Sequence, residues 1–76
     1  MENIKIDLVL EIADLLKFDK NTSDMEVDKN IFDDFEEGKV IYVKFADDME
    51  GLIYEYKMIS EDYDGIKMVC LCAYED

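Results

Sequence analysis

Acidic side chains outnumber basic ones 21 to 8 in a chain of only 76 residues, a net charge of −13 with neither arginine nor histidine. Whatever this chain folds into must contain that repulsion within one domain, residues 1–76, because a chain this short builds a single, modest core. A small soluble domain ordinarily carries a net charge of magnitude about 2–8. Like charge at the higher density weakens the compact state and speeds association with basic partners. Half of the residues are apolar and fall in discrete segments, which argues for a globule rather than disorder.

The same charge excludes several classes of function. Phosphate contacts need clustered Lys and Arg, and the lysines here are spread singly, so direct nucleic-acid binding is not expected. An anionic membrane surface would repel the chain. Met1-Glu2-Asn3-Ile4-Lys5 lacks a basic leader region, and no run approaches the roughly 20 apolar residues of a membrane span. A cytoplasmic protein is expected, with Cys70 and Cys72 as reduced thiols.

Catalysis is not expected either. Without histidine the commonest general base, the Ser-His and Cys-His pairs and most zinc sites are missing. Carboxylates are everywhere, and nothing singles out one pair. Cys70 and Cys72, two apart in a strand, would share a face at about 6.7 Å, the outer limit for a disulfide. Two thiolates cannot complete a zinc shell within one chain, so they read as small core residues, with a metal shared across a dimer as the other option. Aligning Asp62-Tyr63-Asp64-Gly65 to a calcium loop puts Leu71 where the bidentate Glu belongs. Asp64-Gly65 reads instead as a hairpin turn. No metal and no cofactor are expected.

Periodicity predicts an α+β fold. Over residues 3–18 two patterns compete. Ile4, Ile6, Leu8, Leu10 and Ile12 alternate as in a strand, whereas Ile4, Leu8, Ile12, Leu15 and Leu16 share a helical face. Length and the Glu11–Lys17 segment favour the helix, with Leu10 as its poorest fit. Residues 19–30 read as a polar connection. Ile31, Phe32 and Phe35 suggest a short helical or irregular segment over 28–36, with Gly38 as its C-terminal cap. Strands follow over 39–46, 52–59 and 66–74, rich in β-branched and aromatic residues. The expected architecture is an N-terminal helix across one face of a three-stranded antiparallel meander. Its third strand, apolar on both faces, would lie at an edge open to pairing. Five tyrosines remain, and Tyr54 and Tyr56 beside Glu55 would make an interface if they faced solvent.

The candidate binding residues are the clustered acids. One group comprises Asp24, Glu26, Asp28, Asp33, Asp34, Glu36 and Glu37; the second comprises Asp47, Asp48, Glu50, Glu61, Asp62 and Asp64. Carboxylates two apart in an extended segment, such as Asp24, Glu26 and Asp28, lie about 6.7 Å apart on one side. That interval is similar to the spacing of phosphates along a DNA strand, so a row of such groups offers a basic groove a nucleic-acid-like field.

In size, charge and mixed pattern the chain resembles, at class level, the small acidic inhibitors encoded by phages: anti-CRISPR proteins, anti-restriction proteins and uracil-DNA glycosylase inhibitors. The resemblance lies in the character of the whole chain and carries no motif. It implies a DNA mimic that occupies the nucleic-acid-binding site of a basic partner enzyme, a CRISPR effector or a restriction nuclease. Two other readings stand beside it: an immunity protein neutralising a cationic bacterial toxin, and a structural module that forms a homodimer through the third strand.

Overall fold

Residues 4–75 are described by a computed structural model, and strand pairing rather than helical propensity decides their structure. Six strands follow along the chain: β1 Leu8–Leu10, β2 Lys17–Phe18, β3 Met25–Asp28, β4 Val40–Phe45, β5 Ile53–Glu61 and β6 Gly65–Tyr74, with one 3-10 turn at Ile12–Asp14. They form a single sheet in the order β1-β4-β5-β6-β3-β2, antiparallel except where β1 runs parallel to β4. The sheet curls into a half-barrel, with 47% of the residues in strands and 4% helical.

The expected α+β class is therefore overturned. The helix over 3–18 is replaced by β1, the 3-10 turn and β2, while Asn3 lies outside the described residues. The alternating pattern was the operative one. Leu10, the worst fit to the helix, is the segment's one buried residue at 4% exposure, and Val9 beside it is 60% exposed. Helix propensity differs among ordinary residues by only tenths of a kcal/mol, and pairing Leu8–Leu10 with Val43–Phe45 outweighs it. The short helix over 28–36 is likewise absent. A turn at Lys29–Ile31 leads into irregular chain whose Phe32 and Phe35 pack on the core. Gly38 does adopt the left-handed conformation, at φ 84°, in the turn before β4 rather than at a helix end.

The polar connection over 19–30 hides a strand. Met25 and Val27 are buried on one side of β3, which pairs with Gly65–Met68 of β6. The third strand of the expected meander is thus internal, not an edge. Beyond Met68 its far half runs past β3, and Leu71, Cys72 and Ala73 are exposed there.

The half-barrel bends at two bulges in the β5/β6 pair. Leu71 is the extra residue between the Glu55–Cys72 and Tyr56–Cys70 pairs, and Ile59 is the extra residue between Met58–Met68 and Ser60–Lys67. A bulge switches the side-chain alternation and sharpens the local twist. Cys70 accordingly packs against the core and Cys72 is exposed, so the two thiols do not share a face. Burial pushes the Cys70 thiol up from its ordinary pKa. Inside the curl lie Leu10, Met25, Val27, Ile41, Val43, Phe45, Tyr56, Met58, Ile66 and Met68. Tyr56 is fully buried, and its hydroxyl donates 2.6 Å to the Ser23 carbonyl. Burial accordingly raises its pKa.

Gly65 begins β6 rather than sitting in a two-residue turn. A Cβ there would meet the Val27 carbonyl oxygen at 2.5 Å and Leu16 Cδ1 at 2.8 Å. Gly65→Ala is expected to cost about 1–3 kcal/mol by chemical denaturation. Leu16→Ala in the same chain should rescue only part of that loss, because the shorter clash is with backbone.

Candidate functional site

A chain without proline must build its turns from other residues, and here aspartate supplies them. Asp19 Oδ1 accepts from the Asn21 N–H at 2.8 Å, Asp28 Oδ1 from Asn30 at 2.8 Å, Asp48 Oδ1 from Glu50 at 3.1 Å and Asp62 Oδ1 from Asp64 at 3.0 Å. Each is the same two-residue reach back to the chain. Other aspartates hold strands: Asp7 Oδ2 accepts from Tyr42 N–H at 2.8 Å, and Asp24 Oδ1 from Cys70 N–H at 2.9 Å, beyond the end of β3. A substantial share of the acidity therefore serves the backbone.

The candidate acids separate into three places. β3 ends where β6 begins, with Asp28 opposite Gly65, and β4 begins near the end of β5, with Val40 opposite Lys57. The β3–β4 connection and the β5–β6 turn therefore leave the same end of the sheet, where Lys29 and Glu61 meet at 3.8 Å. Asp28, Asp33, Asp34, Glu36, Glu37, Glu61, Asp62 and Asp64 gather there. All but the half-buried Asp28 are exposed. Lys39 reaches Asp34 at 3.5 Å, so the lysines there only partly offset this field.

Asp47, Asp48 and Glu50 lie at the opposite end, in the β4–β5 loop. Asp48 is further occupied by the Leu52 N–H at 3.2 Å. The group expected over 47–64 is thus two groups. Asp24 and Glu26 belong to neither end. Nor do Asp24, Glu26 and Asp28 form a projecting row: Asp24 and Asp28 are half-buried and bonded to backbone, and Glu26 is only 6% exposed.

The tyrosines also differ from expectation. Tyr54 and Tyr56 face inward, ringed around Phe45 at centroid distances of 5.2 and 6.4 Å. On the outer side Tyr42 and Tyr74 lie 6.5 Å apart. The Tyr74 hydroxyl donates to Glu55 Oε1 at 2.5 Å and accepts from Cys72 Sγ at 3.0 Å. These two contacts, Cys72's first, push the Tyr74 pKa up. Sequence reasoning missed this cluster because only the Leu71 bulge puts Cys72 beside Glu55. No group of three or more Cys, Asp or Glu placed to hold a metal occurs among the described residues. Nor is any helix among them long and apolar enough to cross a membrane.

A second feature lies away from the acidic end. A groove of about 810 Å³ opens over β2, β3 and β6, with Lys17, Lys20 and Lys67 at its sides and Glu26 among its lining residues.

Asp62 gives the turn chemistry a measurable signature. N–H donation from Gly65 at 2.9 Å, and from Asp64, holds its carboxyl below the ordinary aspartate value. A carboxyl whose folded pKa is depressed stabilises the fold fully above its unfolded value, near pH 4, and the effect fades as pH falls through the folded value. Asp62→Ala should lower stability measurably at neutral pH, and the gap from the parent should narrow as pH falls below about 4 in urea titrations. Comparison with protein-family models, with curated proteins and with solved structures found no match.

Proposed function

We propose that this chain is a non-catalytic inhibitory binding protein, acting in the cytoplasm without a cofactor. Its acidic end enters a basic groove that otherwise holds a nucleic acid, on a partner such as a CRISPR effector or restriction nuclease. One observation carries the reading. Acids from two separate stretches, 33–37 and 61–64, are brought to one end of the sheet and left in solvent, with Lys29 and Lys39 tied to two of them. A field concentrated in this way steers encounter with a cationic surface and discriminates against anionic ones. Asp47, Asp48 and Glu50, at the far end, fall outside the proposed contact.

The test compares two charge reversals in a purified complex with a nucleic-acid enzyme that the chain inhibits. Asp33→Lys, Asp34→Lys, Glu36→Lys and Glu37→Lys together should weaken binding by at least about a hundredfold. Asp47→Lys with Glu50→Lys should change it by less than about threefold. Binding of the parent should weaken steeply as salt rises through the range where exposed charges are screened, and duplex DNA should compete. Equal effects of the two reversals, or binding indifferent to salt and to DNA, would discard the proposal.

A further inference from the structure

The groove over β2, β3 and β6 holds the one buried charged residue among the described residues, Glu26. In the strand register Glu26 sits between Lys17 of β2 and Lys67 of β6, directly opposite both. Neither lysine forms an ion pair with it, and its carboxylate has no hydrogen-bond partner among the described residues. Its oxygens are nevertheless not sealed away, since no buried side-chain oxygen lacks a partner. Leu16 explains the geometry. Leu16 Cδ1 and Glu26 Cγ converge over Gly65, so the stem of Glu26 is covered and its head is left to the groove. Phe18, Ile59 and Val69 supply apolar wall, and Ile59 is 41% exposed at its bulge.

With its stem covered and its oxygens open only to the groove, Glu26 offers an anionic acceptor beside an apolar wall, a setting that a charge-assisted hydrogen bond satisfies well. We infer that this groove receives an arginine side chain of the basic partner, its stem lying along Phe18, Ile59 and Val69 and its guanidinium reaching Glu26. Asp19 and Asp24, which also line the groove, add to the attraction, while Lys17, Lys20 and Lys67 oppose it and limit affinity. Arginine suits the site better than lysine, because a guanidinium is planar, forks onto a carboxylate and is more weakly hydrated. The inference rests on the proposed function for its partner, but the groove can be tested without one.

The probe is N-acetyl-arginine amide, titrated into the full chain and followed by amide NMR, with the neutral citrulline counterpart as control. Saturable shifts are expected at Lys17–Glu26 and Lys67–Val69, with half-saturation on the order of 1–10 mM. The citrulline compound should produce none of them. Glu26→Gln should weaken binding about tenfold or more, and Lys17→Gln with Lys67→Gln should tighten it severalfold. Ile59→Ser, at an exposed position, should weaken it a few fold and settles the matter should Glu26→Gln not fold. Shifts confined to residues 33–37 and 61–64, equal response to citrulline, or indifference to these substitutions would overturn the groove. Those outcomes leave the acidic-end proposal standing. Loss of partner binding on charge reversal at 33–37 would in turn leave the arginine titration unchanged.

Discussion

The ring of Phe45 is where the two edges of the sheet meet. Its strand pairs with β1 on one side, Leu10 lying opposite Phe45 itself. Its face meets Phe18 of β2, the other edge strand, edge-on at 5.9 Å. Tyr54 and Tyr56 close around it from β5. Only six residues, 11–16, join one edge strand to the other, so this contact and the length of that link set how far the sheet curls. A half-barrel of this kind needs no helix to cover its apolar face, because the face is folded against itself. The bulges at Leu71 and Ile59 supply the bend that flat pairing would resist. The pairings within the curled sheet, Asp28 opposite Gly65 and Val40 opposite Lys57, send the β3–β4 connection and the β5–β6 turn out at the same end.

The acids have two physical roles that overlap but do not coincide. Asp19, Asp28, Asp48 and Asp62 close turns by accepting backbone N–H groups, and Asp7 and Asp24 hold N–H groups of β4 and β6. In a chain without proline this is ordinary folding chemistry, and it accounts for part of the charge without any partner. Asp33, Glu36 and Glu37 have no such task in their side chains, and they stand in solvent at the same end as Asp64 and Glu61. Isolated repulsive charges of this kind lower stability, so their concentration asks for an explanation that the turns do not provide.

The strands carrying strong β-formers were legible: Val40–Phe45, Ile53–Glu61 and Gly65–Tyr74 lie where alternation and β-branching place them. The helix over 3–18 misled because two periodicities were superimposed on the same leucines and isoleucines, and no local rule weighs a pairing with residues 43–45 against a propensity. Leu10 was the informative residue, since a misfit to one period is a vote for the other. β3 was hidden by charge: Met25 and Val27 alternate with Glu26 and Asp28, so a largely buried strand has the composition of a loop. The split of the acids between two ends followed from topology and was beyond a linear reading. So was Glu26, whose burial depends on Leu16 lying over Gly65.

These assignments imply opposite responses to ionic strength. Screening relieves the self-repulsion of a −13 chain, so the fold itself should firm as salt rises. Screening would also remove the attraction of the acidic end for a basic groove, so a complex of the kind proposed should loosen over the same range. A protein tuned only for solubility would show the first response alone. An interface dominated by apolar contact would show neither response strongly, and could tighten with salt. The sign of the salt dependence of binding, set against that of folding, therefore separates a working electrostatic surface from charge carried merely to stay in solution.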